Sequence, residues 1–438
     1  MRFAGLDSAA ETHTVAVVDE QQALVTKPTQ VTEDAAGYAR LRAVLGAPEE
    51  MLVALEATGH SWQHVAAFLL AEGYMLALLN PLQTHRFGGE ELRRAKTAAL
   101  AAVGIARFAA QKRPAVTRLP DAATRELREL VRFRDRLVQD LGDRVRQLHR
   151  LVDRGFPEFP RHVRTLESEL ATTILQRYPT ARTFRDVTPR QLANVVYDGR
   201  HAVGRPLAGE LVAAAGRSVG QHHGPAYALQ VQAYCEDIAT LRRRIRDLGR
   251  QIERTLQDHE VGKLLTTIEG IGPQTAARLV AELGDPAEFR DAAALASHVG
   301  VVPATSQSGQ RQPLRASLTA IGHARLRAAL WMPTLTAVRR NPWLRAFYEG
   351  LRARGKLPKV ALVAAMRKVL VAVYSVAKHR RPFVPYLRPT EVPAGTSRST
   401  EHTVSQRSAI ITCCGDIGSW RSVVAEKPAA RNMRSYSR

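Results

Sequence analysis

Apolar and polar positions along the chain change their period twice, and the changes mark its parts. Over roughly the first 112 residues, short apolar runs alternate with helical periods. Phe3 to Asp7, His13 to Val18 and Ala23 to Val31 predict three successive strands, the first two joined by a short turn. A helix is predicted from Glu33 to Leu45, an apolar strand from Met51 to Ala57 and a helix around Trp62 to Glu72. A strand from Tyr74 to Leu79 is ended by Asn80-Pro81, and a last helix runs from Ala95 to Gln111. From Pro120 to Asp153 the pattern becomes one long helix, with apolar residues at three- and four-residue steps between Arg and acid. Val231 to His259 repeats that pattern. The two are natural antiparallel partners, or an arm whose narrow apolar stripe seeks a second chain. Between them, about 155–225 predicts a small, mainly helical insertion whose function the pattern does not reveal. Residues 262 to about 387 form a further helical unit. The stretch from Pro389 to Arg438, rich in Ser, Thr and Arg without a sustained period, reads as a mobile tail.

Three strands followed by helix, strand, helix, strand and helix is the order of a ribonuclease-H-like sheet. The expected architecture is therefore an α/β ribonuclease-H-like domain over 1–112 and a coiled-coil-like helical arm over 113–260 carrying the insertion. An all-α C-terminal domain with a helix-hairpin-helix follows over 261–387, then the tail over 388–438.

Composition adds one decisive fact. Lys and Arg total 63 against 41 Asp and Glu, a formal net charge of +22. A field of that sign favours polyanions, and phosphate backbones are the commonest in a cell. No apolar run is expected to reach the roughly 18 to 20 residues of a spanning helix, and Met1-Arg2 leads straight into a strand rather than a signal peptide. The three cysteines, Cys235, Cys413 and Cys414, form no C-x-x-C pair, so neither a zinc site nor a disulfide framework is expected, and a cytoplasmic compartment fits.

Three constellations carry candidate chemistry. Asp7 and Glu56 each end an apolar strand, where converging carboxylates serve two-metal phosphodiester chemistry. Positions 98 and 101, one turn apart on the following helix, are where a further acidic pair would complete such a centre, and both are alanine. Ile268-Glu-Gly-Ile-Gly-Pro-Gln-Thr275 is a helix-hairpin-helix signature, in which Gly270, Gly272, Gln274 and Thr275 present a backbone turn and helix start to phosphate. Finally, Ser308-Gly309 lies in a polar loop with Arg311, Arg315, Arg325 and Arg327 nearby. A serine hydroxyl needs a proton acceptor and cations to attack phosphorus. Lys378 to Arg381, at the basic end of an apolar helix, could touch a phosphate backbone.

Together these motifs resemble bacterial insertion-sequence transposases with a DEDD-type, RuvC-like N-terminal domain and a serine-containing C-terminal domain. The Piv invertases and the RNA-guided bridge recombinases are relatives within that family. The resemblance is carried by Gly5-Leu-Asp7, Leu55-Glu-Ala-Thr-Gly59, Ala95-Lys-Thr97 with Ile105-Ala-Arg107, the Gly-Pro hairpin, and Gly300-Val-Val-Pro303 through Ser308-Gly309 to Leu326-Arg327. It implies that Asp7 and Glu56 are the first two metal-binding acids, with Ala98 and Ala101 standing where aspartates are expected. It implies Ser308 as the nucleophile with Ser306 as fallback, and Mg2+ or Mn2+ held only weakly as the chain is written. It further implies DNA and a structured guide RNA as partners, a dimer or tetramer, no membrane, and a composite centre drawing on different subunits. The alternative reading is a non-catalytic DNA- or RNA-binding protein.

Overall fold

The computed structural model describes residues 1–57, 59–90, 97–304, 317–318 and 321–385. They fall into two compact units, 1–119 and the remainder from Pro120.

The first unit is built on a five-stranded mixed sheet: β1 (Arg2–Ser8), β2 (Thr12–Val18), β3 (Leu24–Thr32), β4 (Met51–Glu56) and β5 (Met75–Leu79), in the order β3-β2-β1-β4-β5. The first three strands pair antiparallel, and β4 and β5 join parallel to β1. Parallel strands buried on both faces read as continuous apolar runs, which is why Met51–Leu55 is fully buried. Helices α1 (Ala35–Leu45) and α2 (Trp62–Ala71) cover one face with Leu41, Leu45, Val65 and Leu69. Helices α3 (Pro81–Glu90) and α4 (Ala98–Lys112) lie on the other.

Three boundaries differ from the sequence reading for local reasons. The first helix begins at Ala35 because the Asp34 side chain accepts from the Gly37 N–H. The last begins at Ala98, capped by Thr97, so its expected opening at 95–96 lies outside the described residues. α3 was not expected at all. Its two glycines, Gly88 and Gly89, hide a helix that Pro81 starts well, with the Asn80 carboxamide accepting from the Leu82 N–H.

Gly5 is where α4 meets the sheet. A Cβ there would stand 2.1 Å from the Ala102 carbonyl oxygen and 2.3 Å from the Ala106 nitrogen. Both obstacles are backbone, so a side chain must lift the helix. Gly5→Val is expected to cost about 3 kcal/mol. Faster amide exchange along α4 and a lower melting temperature would register it, whereas an unchanged melt would refute the close approach.

The second unit opens with α5 (Ala122–Gly155). Five short helices follow: α6 (Phe159–His162), α7 (Glu169–Arg177), α8 (Ala181–Phe184), α9 (Pro189–Ala193) and α10 (Arg205–Gly216). α11 (Pro225–Gln257) then returns beside α5. The pairing is antiparallel within one chain: Leu127 and Val131 share a core with Ile252 and Leu256, while Leu148 and Val152 share another with Val231 and Cys235. The second of these cores also holds the insertion, around Phe156, Phe159 and Phe184. Cys235 is a free, buried thiol pushed up to about 12 by burial; Cys413 and Cys414 lie outside the described residues.

α12 (Glu260–Leu265), α13 (Pro273–Leu283), α14 (Ala292–Val299), α15 (Ala324–Arg340), α16 (Pro342–Ala353) and α17 (Pro358–His379) complete the chain's described part. This region is not purely helical as expected, because β6 (Pro303–Ala304) and β7 (Ser317–Leu318) form a small antiparallel ladder. Contrary to the reading that no apolar stretch is long enough, α17 has the length and composition to cross a membrane. Its apolar side, from Ala361 to Ala377, packs into the core that contains α13 and α15. The expected tail lies outside the described residues.

Candidate functional site

Side chains alternate between the faces of a strand, so parity assigns the acids a side. Phe3 on β1 and Leu52 and Ala54 on β4 belong to the core beneath α4. Asp7 and Glu56 share their parity and therefore project toward α4. The strands are parallel with Leu6 opposite Leu55, which makes Asp7 and Glu56 the next neighbours, with backbones about 5 Å apart. Both side chains are half-buried. The Thr84 hydroxyl of α3 donates to Glu56 Oε1 at 2.5 Å and orients it, a contact that no sequence signal marks.

α4 runs antiparallel to β1, its later residues covering Phe3 and its Ala102–Ala106 turn covering Gly5. Asp7 lies about 7 Å along the strand beyond Gly5. Ala98 and Ala101 precede the contact by about 4–9 Å of helix. They belong to the same helical stripe as the buried Ala102, Ile105 and Ala109, so they come level with Asp7 on the sheet-facing side. The strand pairing makes Asp7 and Glu56 neighbours; helical spacing puts Ala98 and Ala101 on one stripe at the start of α4, and neither carries a side-chain oxygen. Among the described residues, no three His, Cys, Asp or Glu side chains gather to hold a metal. Two carboxylates, one already engaged by Thr84, do not fit a two-metal centre, which needs hard oxygen ligands on both ions.

In the second unit, α12 and α13 are joined by a turn at Gly270, whose φ of 99° and whose Cβ position 2.4 Å from the Ala337 methyl admit only glycine. Gly272 is exposed at the start of α13, and Thr275 half-buried in its first turn. Gln274 is tied inward, its amide nitrogen donating to the Gly249 carbonyl at 2.9 Å and to Glu253 at 3.2 Å. Ser308, Ser306, Arg311 and Arg315 lie outside the described residues. Their segment's two ends are described, and they meet in the β6–β7 ladder. Arg327 reaches the Val299 and Gly300 carbonyls at 3.5 Å, below that ladder, so it braces the turn. Arg325 is exposed, 3.9 Å from Glu282. At the basic end of α17, Arg380 pairs with Asp285.

Glu282 is the feature that sequence reasoning missed. Its side chain is only 2% exposed, yet Arg132 of α5 grips it through two nitrogens at 2.9 and 3.2 Å, and His323 Nε2 lies 3.2 Å away. Burial alone would raise its pKa, but hydrogen bonds from His323 and Arg132, with the Arg132 charge, hold it well below the usual carboxylate range. His323 in turn caps α15 by accepting the Leu326 N–H, and its own N–H donates to the His298 carbonyl at 2.9 Å.

Comparison with known proteins follows the same division. A family model described as "Transposase", of the DEDD type, matches residues 4–157, the sheet unit and α5 together; a second, "Transposase IS116/IS110/IS902 family", matches 262–349. The pilin gene-inverting protein of Moraxella bovis is 37% identical over 121 residues, 27% of this chain and 38% of that protein. The chain therefore aligns with well under half of that relative's length. The insertion element IS116 uncharacterized 44.8 kDa protein of Streptomyces clavuligerus is 27% identical over 398 residues, covering 87% of this chain and 96% of that one. The mini-circle putative transposase for IS117 of Streptomyces coelicolor is 26% identical over 405 residues, covering 87% and 95%.

Proposed function

The chain belongs to the IS116/IS110/IS902 transposase family, and from that premise we propose that it is a DNA transposase or site-specific recombinase with its acidic centre disabled. A DEDD-type domain implies divalent-metal use, Mg2+ or Mn2+ in this reading. The observation that carries the proposal is the pair Asp7 and Glu56, neighbours at the ends of β1 and β4 beneath α4, which supports reading Ala98 and Ala101 at the start of that helix as the places of two absent acids. Two carboxylates alone do not fit the pair of metal ions.

With the acidic centre disabled the exchange is lost or strongly slowed in the chain as written; the chemistry that its serine segment would perform with that centre intact is as follows. Ser308, or Ser306 beside it, attacks phosphorus. A serine–phosphate bond forms as one P–O bond of the DNA breaks, the serine proton leaves, and the departing oxygen is protonated. Rejoining reverses the exchange with a different DNA hydroxyl, so phosphodiester energy is conserved and no high-energy cofactor is consumed. In this reading Arg325 and the turn at Gly272 hold phosphates, with α12 and α13 acting as a helix-hairpin-helix; the exposure of both residues supports it. A structured RNA partner, assembly of two or four copies and a cytoplasmic setting complete the proposal. The second reading, a non-catalytic nucleic-acid-binding protein, is favoured by Ala98 and Ala101 themselves.

Both readings require binding. With a net charge of +22 and at least four phosphates neutralised, the logarithmic salt slope is expected to be about −3.6 or steeper. Affinity for duplex DNA should then fall about 100-fold between 50 and 200 mM salt, measured by anisotropy. Salt-independent binding, or none at low salt, would sink both.

A further inference from the structure

The insertion of the second unit contains a cleft for which neither the fold nor the family reading supplies an occupant. It is an open surface cleft of about 540 Å3. It opens where the loop before α7, the hairpin closed by the Val196–Ala202 bridge, and α11 come together. We propose that this cleft binds single-stranded nucleic acid, gripping a phosphate with Arg164 and Arg242 and stacking an unpaired base against Tyr197.

Its two arginines keep donors to spare among the described residues. Arg164 is exposed and has no partner among the described residues. Arg242 is half-buried and fixed by one nitrogen, which donates to the Glu167 carbonyl. Its other N–H groups have no partner among the described residues. The one carboxylate lining the cleft, Glu169, is neutralised by Arg246 at 2.9 Å, so the net field toward an anion is positive. Tyr197 stands half-buried at the rim, its ring parallel to His201 at 6.2 Å between centroids, and its hydroxyl has no partner among the described residues. The insertion beneath it is anchored, because Phe156, Phe159 and Phe184 pack edge to face in the core that it shares with α5 and α11.

Shape selects the occupant. A duplex presents stacked, inward-facing bases, and reading it takes a protruding helix or ribbon. A concavity that combines two cations with an aromatic face suits a splayed base and its phosphate.

The inference rests on the chain binding nucleic acid at all, so the experiment separates the two. The full chain is irradiated with 12-nucleotide oligo-uridine or oligo-thymidine carrying a photoreactive base, crosslinked peptides are mapped by mass spectrometry, and duplex affinity is measured in parallel. The expected crosslink is at Tyr197. Tyr197→Leu should remove it, and Arg164→Glu, at an exposed position that the fold does not need, should weaken single-strand affinity about tenfold with duplex affinity within twofold. Preference for uridine or thymidine then identifies the strand as RNA or DNA. Crosslinks confined to other peptides, or an Arg164→Glu protein that binds as before, overturn the cleft while leaving the family reading intact. Loss of all binding, duplex included, overturns both.

Discussion

Ala98→Asp/Ala101→Asp is expected to convert this chain from a binder into a strand-cleaving enzyme, with a gain on the order of 10^3-fold in Mg2+-dependent cleavage of its DNA. In the proposed reading the two positions, one turn apart at the start of α4, return the carboxylates that Asp7 and Glu56 lack. Metal ions stabilise phosphoryl-transfer charge by several kcal/mol, and each 1.36 kcal/mol is tenfold in rate, which sets the size of the gain at about 4 kcal/mol. Neither residue carries much of the fold: Ala98 is exposed and Ala101 half-buried in the helix's first turn, where acids also suit the helix dipole. Mn2+ affinity, read by calorimetry, should rise in the same variant. The cleaved strand should be covalently attached to protein, and adding Ser308→Ala should abolish the adduct. A double variant that binds Mn2+ tightly yet cuts nothing would leave the non-catalytic reading in possession. An adduct that survives Ser308→Ala and disappears with Ser306→Ala would move the nucleophile by two residues.

The acidic pair was legible because it rests on local facts. Two apolar runs each end in an acid, and strand periodicity alone puts both on one face once the strands are neighbours. The spacing of 98 and 101 was legible for the same reason, being a property of one helix. α3 was not, because Gly88 and Gly89 argue against a helix that tertiary packing of Phe87 on Phe108 favours. Thr84 and Glu282 were invisible for a deeper reason. Thr84 meets an acid 28 residues away and Glu282 an arginine 150 residues away, and no period in the chain encodes either meeting. Gln274 and Arg327 show a second kind of contact that a motif does not carry. Motif position assigned them to phosphate, whereas the fold gives each a backbone carbonyl to hold.

Glu282→Ala is expected to destabilise the second unit by about 3 kcal/mol at neutral pH, lowering its melting temperature by roughly 6–12 °C. The figure sits at the low end for a broken buried ion cluster because Arg132 and Arg325 are 40% and 63% exposed and regain water when the carboxylate goes. The sign of the pH dependence follows from the depressed pKa. Its stabilisation is fully present above the unfolded value of about 4.3 and is lost as pH falls toward the folded value. The gap between parent and variant should therefore be constant from pH 7 to about 5 and shrink between pH 4 and 3. Denaturation followed through Trp331 and Trp343, which share the C-terminal core, in a Trp62→Phe/Trp420→Phe background isolates this unit. A gap that does not change with pH would mean that packing, not charge, holds the site. The consequence for function lies one bond further on. His323 joins Glu282 to the start of α15 and, through its backbone N–H to the His298 carbonyl, to the last turn of α14, a few residues ahead of β6. Removing Glu282 should therefore loosen both ends of the serine segment together, and faster amide exchange at Leu326 and His323 in the same variant would register it before any change elsewhere in α13.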